Sequence, residues 1–116
     1  MIHRDIAYLC HILDAINDME ESVGSHSKKE FLELKDVRDA SVRRLEIIGE
    51  ATKNISAATR SKHSDVPWKD IAGTRDKIAH HYFGINFDMV WNIIKYDIPR
   101  LKMQILKIRT ELESNG

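Results

Sequence analysis

The spacing of apolar residues constrains this chain more than any other feature. Ile2, Ile6, Leu9, Leu13, Ile16 and Met19 recur at three- and four-residue steps, the signature of one helix face. They predict a helix from about residue 2 to 22. A second stripe runs through Val37, Ser41, Leu45, Ile48, Thr52 and Ile55, and a third through Trp68, Ile71, Arg75, Ile78 and Tyr82. The last follows Val90, Ile93 or Ile94, Asp97 or Ile98, Leu101, Ile105, Ile108 and Leu112. No segment alternates as a half-buried strand would. With five glycines and two prolines, the chain has few places to break such stripes. The expected fold is all-α, an antiparallel bundle of about four main helices.

Punctuation refines the boundaries. Gly24, Ser25 and Ser27 form a polar break, after which Lys28 to Leu34 suits a short helical turn. Residues 59–66 are polar and read as a loop. Pro67 fits the first turn of the third helix, where its missing N–H costs nothing, and Gly84 is placed to end that helix. Asn86 is a natural N-cap for the last helix. Pro99 falls inside the last stripe and is expected to kink or divide it. Gly49 sits mid-helix, where glycine costs about 1 kcal/mol relative to alanine; a closely crossing neighbour is the simplest reason for it.

At 116 residues, one domain spanning 1–116 is expected. A hydrophobic share of 42% with no apolar run near the roughly 20 residues of a membrane span argues for a protein without membrane association. A lone Cys10 cannot make an internal disulfide, which points to the cytoplasm, and its apolar neighbours suggest an ordinary core residue. Eighteen basic and eighteen acidic residues balance. Any RNA contact must therefore use a local patch or a cleft between subunits, because a binder working by charge alone carries net positive charge. Helix faces left over in so small a chain point to self-association.

His3, His11, His26 and His63 are scattered among polar positions and read as surface residues. The exception is residues 73–84, Gly-Thr-Arg-Asp-Lys-Ile-Ala-His-His-Tyr-Phe-Gly, which packs six polar or titratable groups into eight positions. Arginine offers a fixed fork of donors for a phosphate. Histidine can take a proton from a 2′-hydroxyl or give one to a leaving oxygen. On an ideal helix Arg75 and Tyr82 lie about 20° apart, whereas Arg75 and His80 diverge by about 140°. Either the helix loosens before His80, or a second chain completes the site. Spacing alone favours a capped helix terminus over a catalytic group, since histidine near a C-terminus suits the helix dipole.

The surroundings change that balance. Arg75, His80 and Tyr82 match the pattern R-x-x-x-x-H-x-Y. Around it stand Arg44 to Ala51 (Arg-Leu-Glu-Ile-Ile-Gly-Glu-Ala), Val66-Pro67-Trp68, Ile71-Ala72-Gly73, Asp88-Met89-Val90-Trp91 and Asp97-Ile98-Pro99. Over most of its length the chain resembles the HepT-like branch of the HEPN superfamily. The resemblance implies a HEPN-like homodimer and a metal-independent endoribonuclease toxin. Arg75 and His80 would form the catalytic pair at the dimer interface, with Asp76 supporting one of them and no metal or cofactor required. It also implies a partner, a nucleotidyltransferase antitoxin of the MNT type, in a toxin–antitoxin system of type II or VII, with hetero-oligomers beyond the dimer. That partner would attach AMP to Tyr82, two residues from His80, where the added negative charge blocks the site. The competing reading is a non-catalytic subunit that presents nucleotide or substrate to a nucleotidyltransferase.

Trp68 and Trp91 read as core anchors. Arg43, Arg44 and Lys53 read as a solvated helix face rather than a basic surface for RNA or the antitoxin, and Glu46 and Glu50, at i and i+4, either face the dimer partner or pair with Arg43 or Lys53.

Overall fold

The computed structural model describes residues 2–80 and 84–115, with the backbone alone at residues 2 and 80. The structure is overwhelmingly helical. α1 spans Ile2–Val23 and α3 spans Lys35–Lys53, with the short α2 (Lys28–Glu33) between them. α4 (Ala57–Lys62), α5 (Trp68–Ala72) and α6 (Thr74–Ile78) follow as short pieces. Two two-residue strands, β1 (Ala79–His80) and β2 (Gly84–Ile85), pair antiparallel. The chain closes with α7 (Phe87–Asn92), a π-helical turn over Ile93–Asp97, and α8 (Ile98–Asn115). No helix among the described residues is long and apolar enough to cross a membrane.

The stripes do what their spacing demands. Leu9, Leu13, Ile16 and Met19 of α1 are buried, as are Leu45 and Ile48 of α3 and Leu101, Ile105, Ile108 and Leu112 of α8. α1 packs along α3 and α8, so these three faces share one hydrophobic cluster. The short helices α2 and α7 start on side-chain caps, of which the one at Asn86 is as expected from the sequence. Ser27 and Glu30 form a reciprocal capping box at the start of α2. Asn86 accepts from the Met89 N–H at the start of α7. Gly24 follows α1 in a left-handed conformation, φ +51°, which glycine adopts without steric cost.

Several expectations are corrected. Residues 59–66 are not simply a loop, because Ala57–Lys62 is helical. Ser56 caps that turn, and Asp5 of α1 reaches across to hold the cap. The Asp5 carboxylate accepts from Ser56 N–H (2.9 Å), Ser56 Oγ (2.6 Å) and Thr59 Oγ1 (2.6 Å). Burial raises the Asp5 pKa, but these hydrogen bonds outweigh it and hold the carboxyl below its ordinary value. His63 is not a surface residue. It is buried, its Nε2 lies 3.2 Å from Glu111 Oε2, and its carbonyl accepts from Trp68 Nε1 at 2.9 Å.

Trp68 is the expected core anchor. Trp91 is only half-buried, packed on Phe31 at 5.3 Å with Lys95 Nζ 4.7 Å above its ring. Cys10 is likewise half-buried.

The third helix is the largest departure. It breaks at Gly73 into α5 and α6, and α6 stops at Ile78. Ala79 is extended (φ −78°, ψ 136°), and the Asn86 N–H donates to the Ile78 carbonyl at 2.7 Å, closing the base of the hairpin. Gly84 therefore ends no helix; it lies in β2 with φ +85°. The interruption expected at Pro99 takes the form of a π turn just ahead of it. The π turn ahead of it sends the Ile98 N–H to the Ile93 carbonyl, five residues back. This wider turn absorbs the ring that would otherwise strike the preceding turn. It also adds one residue to the period, so Ile93, Ile94 and Ile98 are all buried while Asp97 is exposed.

Candidate active site

A cleft of about 520 Å³ lies where α1, α3 and the α5–α6 segment meet. Gly49 makes this junction possible. A Cβ there would stand 3.3 Å from the Ile71 carbonyl oxygen and 3.5 Å from that of Ala72. The mid-helix glycine thus marks the backbone-to-backbone approach inferred from its position, and it lines the cleft itself.

Arg75 and Asp76 line the same cleft from α6. Both are exposed, and among the described residues neither forms an ion pair. An orienting ion pair from Asp76 to Arg75 is therefore absent among them. Lys77, which the sequence groups with these two, turns to the opposite side. With Thr74 it lines a second cleft of about 250 Å³ against Asp97, Ile98 and Arg100. The part of the polar tract that lies on α6, Arg75 to Lys77, is thus divided between two faces of one helical turn.

The ideal-helix angle between Arg75 and His80 does not apply, because α6 ends before His80 is reached. The His80 backbone pairs with Gly84 in the hairpin. The helix gives way ahead of His80, as the first alternative requires. The His80 side chain and the whole of Tyr82 lie outside the described residues, so their proposed roles are not located here.

From the other helices, Tyr8 and His11 of α1 and Arg43, Glu46, Glu50 and Lys53 of α3 complete the cleft. Lys53 Nζ is 3.3 Å from Glu50 Oε1, a pairing anticipated from their spacing. Arg44 instead turns away from the cleft and reaches Ser22 Oγ at 3.4 Å. Nothing in the local sequence marks Tyr8 or Asn54 as a cleft residue, and His11 reads there as a plain surface group. The signal available is Gly49: whatever stands one turn from it on α3 must face the crossing segment. Among the described residues no three His, Cys, Asp or Glu side chains converge as a metal site would require.

Comparison with known proteins agrees with the motif. The model of the family described as "Ribonuclease HepT-like" matches residues 12–108. A protein of Caldanaerobacter subterraneus subsp. tengcongensis named "Putative RNase" is 46% identical over 101 residues, covering 87% of this chain and 90% of that protein. One from Thermococcus cleftensis named "Probable ribonuclease HepT" is 41% identical, covering 92% of this chain and 96% of that protein. A Methanocaldococcus jannaschii protein named "Gamma-glutamylcyclotransferase and putative RNase" is 44% identical over 108 residues, but this chain spans only 49% of its length. No solved structure matches. With the family model covering most of the chain and the motif Arg75, His80 and Tyr82 intact, this protein belongs to the HepT-like ribonuclease family.

Proposed function

We propose that this chain is the endoribonuclease toxin of a toxin–antitoxin pair, cutting RNA without a metal ion through Arg75 and His80. The observation that carries this reading is the exposed Arg75 guanidinium in a cleft shared by three helices, within a motif matching the family. His80 takes the proton from a ribose 2′-hydroxyl. The 2′-oxygen then bonds to phosphorus while the bond to the 5′-oxygen breaks, and a proton returns to that leaving oxygen. Arg75 holds the non-bridging oxygens and stabilises the charge that builds on them. Asp76 supports this pair, from its own subunit or across a two-fold axis.

The protein works as a single-domain homodimer in the cytoplasm, with the active site at the subunit interface. Its regulator is a nucleotidyltransferase antitoxin of the MNT type that adds AMP to Tyr82, within heteromeric complexes of the two proteins. The balanced charge of the chain suits a cleft enzyme better than a protein that coats nucleic acid.

Purified protein incubated with total RNA and a chelator tests the reading. Cleavage by the wild type and none by His80→Ala or Arg75→Ala, all with the same helical content, is the expected result. Cleavage that survives both substitutions assigns the chemistry elsewhere. Induction of this protein alone in cells should stop growth and cut RNA; the absence of both effects favours the non-catalytic partner subunit. Co-expression with the nucleotidyltransferase should add AMP mass to the wild type and not to Tyr82→Phe.

A further inference from the structure

The ribonuclease reading uses Arg75, Asp76, His80 and Tyr82, and leaves most of the cleft wall without a task. That wall is unusual for a phosphate groove. Arg43, Lys53 and Arg75 are matched by Glu46, Glu50 and Asp76, so charge attraction to the RNA backbone does not account for its composition.

The individual groups are more informative. Lys53 is engaged with Glu50. Arg43 and Glu46 stand three residues apart on α3, a spacing that commonly pairs opposite charges. Yet they form no ion pair, and neither hydrogen bonds through its side chain to any described residue. Arg43 is exposed at the rim, whereas Glu46 is half-buried in the wall.

An ionised carboxylate only accepts hydrogen bonds. In a cleft that receives RNA, phosphate oxygens repel it; ribose hydroxyls and the N–H groups of a base edge can donate to it, and only the base edge distinguishes one nucleotide from another. Guanine alone offers two adjacent donors on its Watson–Crick edge, the ring N1–H and the exocyclic amine, spaced for the two oxygens of one carboxylate. Adenine and cytosine set a single amine beside a ring acceptor, and uracil flanks its one N–H with carbonyls. Size points the same way. A cleft of about 520 Å³ lies within the range of about 300–1,000 Å³ typical of small-molecule sites, room enough for one unstacked nucleotide.

We infer that this cleft is a specificity subsite for one unstacked guanine of single-stranded RNA, with Glu46 reading the base edge and Arg43 holding the adjoining phosphate. This inference deepens the ribonuclease reading and rests on it for the position of the cut. Binding tests it separately from catalysis.

The probes are fluorescent 2′-O-methyl oligouridines, which cannot be cut because the attacking hydroxyl is blocked. One set carries a single central guanine, adenine or cytosine, and one is uridine throughout. Anisotropy should give the guanine probe an affinity tenfold or more above the others, on the order of the discrimination a bidentate base contact supplies. Glu46→Gln keeps the size of the side chain and should bring guanine to within about twofold of adenine, as an amide offers only one acceptor oxygen. Arg43→Ala should weaken all four probes alike. It should also lower the slope of log affinity against log salt by about 0.7, the value for one single-strand phosphate that is no longer neutralised.

Equal affinities for the four probes, or a guanine preference that survives Glu46→Gln, overturn the subsite. An unchanged salt slope in Arg43→Ala overturns the role given to Arg43. Total RNA left uncut alongside an intact guanine preference overturns the ribonuclease reading and not the subsite. Cleavage without base preference does the reverse.

Discussion

Replacing Asp5 by alanine tests the least expected element of the fold, the link between the start of α1 and the short helix α4. Asp5 is only 2% exposed and accepts three hydrogen bonds, two of them at 2.6 Å. A hydrogen bond to a charged group contributes about 1.5–3 kcal/mol, so three independent bonds would exceed about 4.5 kcal/mol. They are not independent. Ser56 Oγ also accepts from the Thr59 N–H at 3.3 Å, a bond that persists in the variant, and Thr59 Oγ1, 3.2 Å away, offers the freed Ser56 hydroxyl a new acceptor. Ser56 is half-buried, so water can reach its freed N–H. The expected loss is about 3 kcal/mol, a large share of the roughly 5–15 kcal/mol that holds a typical domain together.

Urea unfolding followed by circular dichroism at neutral pH measures this loss. With a slope of about 1.5 kcal/mol per molar, the midpoint should fall by about 2 M. Asp5→Asn keeps one acceptor oxygen and should lie between the two. The folded-state pKa of Asp5 lies below its ordinary value, so its contribution is complete above the ordinary carboxylate range. It fades as pH falls through the lowered value, and the gap between wild type and Asp5→Ala should narrow in acid. A loss under about 1 kcal/mol at neutral pH, or a gap that widens in acid, would refute the reasoning.

Two further substitutions bear on the candidate site. Gly49→Leu places a branched side chain where a Cβ alone would already stand 3.3 Å from the Ile71 carbonyl. Overpacking of about 1–3 kcal/mol should outweigh the gain in helix propensity of about 1 kcal/mol. Because α5–α6 must retreat and carries Arg75, RNA cleavage should fall by more than the unfolded fraction explains; full cleavage by a folded variant contradicts the coupling. Arg75→Lys keeps the charge but loses the two-pronged donor geometry. It should lower kcat roughly tenfold to a hundredfold with little change in unfolding midpoint, and a drop under about twofold would show that point charge suffices.

Much of the fold is legible in the sequence because helices write their own period. The stripes of α1, α3 and α8 depend on contacts one turn apart, and each buried position is marked by its neighbours at three and four residues. The caps at Ser27 and Asn86 are equally local. Gly49 goes further, announcing a tertiary contact through a residue that its own helix disfavours.

The failures share a cause. α4 is held by a carboxylate 51 residues away, and His63 is buried by Trp68 and by Glu111 on the last helix, so no local window reveals either. The split at Gly73 and the stop at Ile78 are hidden because Ile71, Arg75 and Ile78 keep helical spacing through a break in the backbone.

By itself the sequence determined that this chain is helical, where its long helices bury their faces, and that Arg75, His80 and Tyr82 stand in a pattern matching the HepT-like ribonucleases. Only the tertiary structure decided that α6 ends before His80, that Lys77 parts from Arg75, and that Arg43 and Glu46 share the Arg75 cleft. The physical reason is range. Periodicity, caps and motifs act within a turn or two, whereas a cleft is made by the crossing of helices far apart in the chain, and the sum of packing across the whole core sets that crossing.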